Sequence, residues 1–192
     1  MMPKPKQIAL FGTSADPPTQ GHKTILEWLS HHYDQVIVWA ADNPLKSDQT
    51  PLEHRMTMLE LMIDSLATSK NNVVLDSDLS SPRSLETVEK AEVLWGKDIE
   101  FTFVIGSDLI PQIPRWYASE ELLRRVNLLI VPRPGYPPQE NDLKTLSEMG
   151  GNYAVADLDA PPVSSTAYRR NGHSDVVDFS VKQYIQEQKL YS

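Results

Sequence analysis

The sequence predicts an α/β fold, a Rossmann-like parallel sheet with helices on both faces, and three observations carry that expectation. Short, nearly unbroken apolar runs recur along the chain, among them Ile8-Ala9-Leu10-Phe11, Phe101-Thr102-Phe103-Val104-Ile105 and Leu128-Leu129-Ile130-Val131. Runs of this length suit strands buried on both faces. Between them lie segments whose apolar residues fall at helical spacing. Strand and helix patterns alternate, as crossover-linked parallel strands require. With 192 residues, the chain suits one domain over 1–192 with a sizeable core.

The first strand, Ile8–Phe11, ends at Gly12 and Thr13. Pro17 and Pro18 keep the next stretch out of a helix. A helical pattern then opens at Gly21 and His22 and runs through Ile25, Leu26 and Leu29 to His31-His32. Val36–Trp39 is the second strand, followed by a polar loop over 41–48. Thr50 is the expected N-cap and Pro51 the N1 residue of a helix carrying Met56, Leu59, Met62, Ile63 and Leu66. Val73–Leu75 is a short strand. The loop 80–84 enters a helix through Val88, Ala91 and Leu94, which Gly96 ends. Phe101–Gly106 is the strongest strand, and a loop with Asp108, Pro111, Pro114 and Trp116 follows it. Leu122 and Leu123 lie on a short helix before Leu128–Val131, stopped by Pro132-Arg133-Pro134-Gly135. Residues 142–149 are weakly helical, and the alternation in Tyr153–Leu158 reads as a last strand. Ser164-Ser165-Thr166 leads into a short helix through Arg169. A closing helix runs from Val176-Val177 to Ile185, with Ser174 as its expected N-cap.

A formal net charge of -8 argues against broad nucleic-acid binding. It leaves room for a small anionic substrate held by a few local cations and amides. The chain has no cysteine, which excludes disulfides, thiolate metal sites and a Cys nucleophile. No run has the length of a membrane span, and the start of the chain lacks a signal-peptide pattern, so the expected compartment is the cytoplasm, with no membrane partner. Oligomeric state stays open between monomer and homo-oligomer. The histidines show no zinc-ligand spacing, so no protein-bound metal is expected. His31-His32 ends a helix, His54 lies on a helix face and His173 sits in a polar loop. Walker A and Gly-x-Gly-x-x-Gly patterns are missing, which argues against P-loop and dinucleotide-dependent enzymes.

The most informative stretch is Gly12-Thr13-Ser14-Ala15-Asp16-Pro17-Pro18-Thr19-Gln20-Gly21-His22. Here strand, turn and helix succeed one another, with a hydroxyl, a glycine and an imidazole at the helix start. Free N–H groups and the helix dipole favour anions there. A second stretch, Val163-Ser164-Ser165-Thr166-Ala167-Tyr168-Arg169, puts hydroxyls at another helix start, with an arginine about a turn on. These two stretches resemble the paired signatures of the (His/Thr)-x-Gly-His nucleotidyltransferases. Three further matches resemble one branch, the bacterial nicotinate-nucleotide adenylyltransferases. Asn43-Pro44-Leu45-Lys46 with the helix Arg55-Met56-Thr57-Met58-Leu59 is similar to a Pro-His-Lys loop and Arg-x-x-Met-Leu helix. Ile105-Gly106-Ser107-Asp108-Leu109 with Trp116-Tyr117 is similar to Gly-Ala-Asp-x-(Leu/Ile) and a downstream Trp. Val131-Pro132-Arg133-Pro134-Gly135 matches a strand-end Arg-Pro-Gly.

The resemblance implies adenylyl transfer from ATP, accompanied by Mg²⁺, to nicotinate mononucleotide. That transfer depends on positioning and charge stabilisation. It implies that Thr19, His22 and Arg169 act on the triphosphate. Gly12, Thr13, Gly21, Gly106, Asp108, Arg133, Ser164, Ser165 and Thr166 complete the ATP site. Lys46 would take the mononucleotide phosphate, Asp108 a ribose, Trp116 and Tyr117 the pyridine side, and Ser84 the pyridine carboxylate through its backbone. The chain departs from the branch at Ser14-Ala15, at Leu45, and at Thr19, where pantetheine-phosphate adenylyltransferases usually carry Thr. At the level of sequence these departures keep two alternatives open. One is an adenylyltransferase for nicotinamide mononucleotide or phosphopantetheine. The other is a nucleotide-binding regulatory protein with weak catalysis.

Overall fold

In the computed structural model, which describes residues 6–42, 46–172 and 174–192, the apolar runs become six strands. These are β1 (Gln7–Thr13), β2 (Gln35–Ala40), β3 (Val73–Leu75), β4 (Glu100–Gly106), β5 (Asn127–Val131) and β6 (Asn152–Val155). They pair in parallel in the order β3-β2-β1-β4-β5-β6. The chain builds outward from β1 in one direction and from β4 in the other. The crevice between the carboxyl ends of β1 and β4 is therefore the switch point at which open α/β sheets bind ligands.

Among the described residues seven α-helices complete the fold: α1 (Gln20–His32), α2 (Leu52–Asp64), α3 (Ser84–Trp95), α4 (Ser119–Arg125), α5 (Glu140–Glu148), α6 (Ser165–Asn171) and α7 (Phe179–Gln188). Period-2 alternation along each strand divides the core. Ile8, Leu10, Phe103, Ile105 and Ile130 face α3, α4 and α5 together with Leu85, Val88, Leu122 and Leu146. Ala9, Phe11, Val36, Val38, Val104 and Leu129 face α1, α2, α6 and α7 together with Leu26, Met58, Met62 and Val181. Each of β1, β2, β4 and β5 is thus buried on both faces, which is why their sequences read as apolar runs. β3 and β6 are the edge strands, and all four residues of β6 are exposed. No helix among the described residues is long and apolar enough to cross a membrane.

Several local expectations are corrected. Pro51, extended at φ -49 and ψ 141, is the N-cap of α2, and the helix starts at Leu52. Thr50 is released from capping, and its N–H donates to the Asp16 carboxylate at 3.1 Å. The buried stripe of α2 is Arg55, Met58, Leu59 and Met62, rotated from the expected face because Arg55 turns inward. The loop expected after β4 is a 3-10 segment over Ser107–Arg115 that includes Pro111 and Pro114. Prolines three apart suit a segment that does not need an i to i−4 ladder. The last strand stops at Val155, and α7 begins after Asp178, so Ser174 does not cap it. The expectations resting on Asn43, Pro44, Leu45 and His173 lie outside the described residues.

Candidate active site

At the switch point the chain leaves β1 at Thr13 and reaches α1 through residues 14–18. Gly12 is required by packing, since a Cβ there would stand 2.6 Å from the Trp39 indole. Ala15 and Asp16 are buried, and Ala15 takes the left-handed region at φ 46. Thr19 is the N-cap of α1 and is almost fully buried. Its backbone N–H donates to His22 Nδ1 at 2.9 Å, and its hydroxyl lies 3.1 Å from the same nitrogen. A ring nitrogen that accepts a backbone N–H carries no proton, so the imidazole proton resides on Nε2. Burial, with the Arg133 charge as the lesser cause, lowers the His22 pKa to about 4. His22 is therefore a neutral donor through Nε2–H at pH 7.

The second signature docks directly on this loop. Ser164 caps α6 by accepting the Ala167 N–H at 3.1 Å. The Ser165 hydroxyl donates to the Pro17 carbonyl at 2.7 Å. Arg169 donates from Nη1 to the Asp16 carbonyl at 2.5 Å and from Nη2 to the Thr166 hydroxyl at 3.3 Å. A Cβ on Gly21 would meet a Val163 methyl at 3.5 Å, ordinary contact, so the start of α1 lies against the segment entering α6. Two stretches at opposite ends of the chain thus form one structure. The Ser165 hydroxyl and the Arg169 guanidinium are the side-chain groups that join them.

The ends of β4 and β5 add a third component. Ser107 Oγ accepts the Arg133 N–H at 2.9 Å, and Arg133 Nη1 donates to Asp108 Oδ2 at 2.7 Å. A Cβ on Gly106 would come 2.6 Å from Asp108 Oδ1, so glycine is needed for Asp108 to lie where it does. Lys46 Nζ, from the loop after β2, donates to Ser14 Oγ at 3.2 Å. Arg133, Arg169 and Lys46 therefore gather cationic groups around the β1–α1 loop of an acidic protein.

Ser84, Trp116 and Tyr117 form a separate group. Ser84 is the first residue of α3. The Arg83 guanidinium, just before it, lies 4.2 Å from the centre of the exposed Tyr117 ring. Trp116 follows the 3-10 segment and packs, half-buried, against the α3 side of the core. None of these three residues touches the His22 and Arg169 cluster through a hydrogen bond among the described residues.

Two residues given no role from sequence hold the site in place. Arg55 is 1 % exposed and donates to three carbonyls: Thr50 at 2.8 Å, Ser14 at 3.1 Å and Ala41 at 2.7 Å. It thereby ties α2 to the loops after β1 and β2. Its signals in the sequence were its place in the match to an Arg-x-x-Met-Leu helix and its position on a helix face otherwise reserved for the apolar stripe. Asp178 accepts from Gln20 at 2.8 Å, Lys23 at 3.1 Å and Ser65 at 2.6 Å. Burial opposes its charge, but these three donors outweigh burial and hold its pKa below the usual carboxylate value. Asp178 so fixes the start of α1 against α7, a pairing that local sequence does not announce.

A sequence model of the cytidylyltransferase-like family matches residues 10–171. A probable nicotinate-nucleotide adenylyltransferase of Synechocystis sp. is 43% identical over 96% of this chain and 98% of its own length. The nicotinate-nucleotide adenylyltransferase of Bacillus subtilis is 28% identical over 97% of this chain and 98% of its own. Among solved structures, the Plasmodium falciparum nicotinic acid mononucleotide adenylyltransferase complexed with NaAD superposes with a TM-score of 0.83. It is 22% identical and covers 97% of each chain, a likeness of fold. Family and fold agree with the paired signatures, and the chain belongs to the nicotinate-nucleotide adenylyltransferases within the cytidylyltransferase-like family.

Proposed function

We propose that this chain, acting as one domain over 1–192 in the cytoplasm, moves AMP from ATP to nicotinate mononucleotide. The products are deamido-NAD and pyrophosphate. The observation that carries the reading is the junction of the two signatures: Ser165 and Arg169 hold the Asp16-Pro17 loop that leads to Thr19 and His22. A mononucleotide phosphate oxygen attacks the α-phosphorus of ATP in line. The bond from that phosphorus to the bridging oxygen breaks as the new one forms, and the electron pair leaves with pyrophosphate. No covalent enzyme intermediate is needed.

The chain's part is positioning and charge stabilisation. His22 donates Nε2–H, and the N–H groups at the start of α1 add oriented dipoles. Arg169 and Arg133 supply positive charge and fork-shaped donors for phosphate oxygens. Thr19 sets the His22 tautomer through its backbone N–H. Lys46, Asp108, Trp116, Tyr117 and Ser84 receive the mononucleotide.

Among the described residues no group of three or more His, Asp or Glu side chains could hold a metal ion. The Asp16 carboxylate is already taken by the Thr50 N–H and the Tyr191 hydroxyl, and Asp108 by Arg133. In the proposed reaction Mg²⁺ accompanies ATP, held mainly by phosphate oxygens and water.

The test offers nicotinate mononucleotide, nicotinamide mononucleotide and phosphopantetheine separately with MgATP and follows pyrophosphate. A kcat/KM at least tenfold higher for the acid mononucleotide is expected. Preference for either other acceptor moves the specificity, and silence with all three overturns the enzyme.

A further inference from the structure

The Asp16-Pro17 loop is held from a third direction that neither signature includes. After α7 the chain passes through Lys189, left-handed at φ 54, and returns toward the sheet. Tyr191 then lies with its ring edge-on to Tyr168 of α6, centroids 6.0 Å apart. Its hydroxyl donates to Asp16 Oδ1, while Asp16 Oδ2 accepts the Thr50 N–H at 3.1 Å and the Asp16 carbonyl accepts Arg169. All three acceptors of Asp16 are thus engaged by different elements. Asp16 is 3% exposed, so water is a poor substitute for any of these donors.

From this geometry we infer that Tyr191 is a positioning residue for adenylyl transfer, a latch that acts through Asp16 on the loop carrying Thr19 and His22. The inference rests on the reaction proposed above. Burial first, then the hydrogen bond to Asp16, raises the Tyr191 pKa, so the hydroxyl remains a donor across the working range. The ring contact with Tyr168 and the hydroxyl contact with Asp16 are separable, since Tyr191→Phe removes only the second.

A latch predicts a specific pattern. Tyr191→Phe keeps a melting temperature within a few degrees of the parent and a KM for nicotinate mononucleotide within about twofold. It lowers kcat about five- to fiftyfold, since a small displacement of a reacting group costs up to about a hundredfold. Hydrogen exchange of the amides over 12–22 speeds up, while β4 and β5 stay as protected as in the parent. Asp16→Ala lowers kcat as well, and adding Tyr191→Phe to it costs nothing further, because the hydroxyl acts through the carboxylate that the alanine lacks. The inference is overturned by parental kcat and exchange in Tyr191→Phe. Exchange rising across the whole sheet with a falling melting temperature overturns it too, as do losses that multiply in the double variant. The exchange arm needs no turnover, so it decides the latch even where pyrophosphate release fails in the parent and the proposed reaction falls.

Discussion

His22 has two separable jobs, and His22→Asn divides them. The Asn side chain ends about where Nδ1 lies, so its amide oxygen can accept the Thr19 N–H that Nδ1 accepts at 2.9 Å. It does not reach the position of Nε2. Loss of one donor aimed at charge in the transition state costs about 10²–10³ in kcat, roughly 3–4 kcal/mol. The cap is kept, so folding stability changes by less than about 0.5 kcal/mol. His22→Ala loses both functions. It shows the same fall in kcat and a further loss of about 1 kcal/mol in stability, from a buried N–H left without its acceptor. Steady-state pyrophosphate release and urea denaturation on the three proteins make the comparison. A His22→Asn protein within tenfold of parental kcat would refute the Nε2–H role. Equal stability of the Asn and Ala variants would refute the capping role.

Other outcomes follow from the same contacts. Arg133→Met removes the smaller of the two causes that depress His22, so the pKa rises from about 4 yet stays below 6.5 because burial persists; imidazole titration by NMR reads this, and no movement would place Arg133 outside the field of His22. The His22 pKa is lower in the folded chain than in the unfolded one, so the unfolded state binds the extra proton as pH falls. The His22 contribution to stability is thus complete above about pH 6.5 and is lost as pH drops toward 4, a slope that His22→Asn removes in denaturation curves run across that window. Arg55→Met strips three carbonyls of a charged donor while sparing the desolvation of a buried guanidinium, a net loss of about 3 kcal/mol and roughly 6–12 °C in melting temperature. A Tm shift under about 2 °C would show that the loops after β1 and β2 do not depend on Arg55.

The sheet was legible because β1, β2, β4 and β5 are buried on both faces and so keep continuous apolar runs. The same logic blurs at the edge, where β6 is exposed and its expected alternation ran on past Val155. The two signatures could be read as sites because helix starts impose local chemistry that short stretches display. Arg55, Asp178 and Tyr191 were not legible, since each acts on a partner far away in sequence, the Tyr191 contact spanning 175 positions. Thr50 illustrates the limit from the other side. Its sequence context suits an N-cap, but its carbonyl accepts Arg55 Nε at 2.8 Å, and the Pro51 carbonyl takes the first helical N–H groups instead. Ser164 and Ser165 were expected to cradle phosphate; in the fold the first hydroxyl accepts the Ala167 N–H and the second donates to the Pro17 carbonyl, contacts that the sequence did not announce.

In the proposed reaction the α-phosphorus of ATP passes to nicotinate mononucleotide. ATP labelled in the α-phosphate tests it most directly, with the products separated after incubation with Mg²⁺, the purified chain and the mononucleotide. In-line transfer places the label in deamido-NAD, with unlabelled pyrophosphate in equal amount and no label retained on the protein. Label left in free AMP or ADP, or carried on the protein, would contradict it.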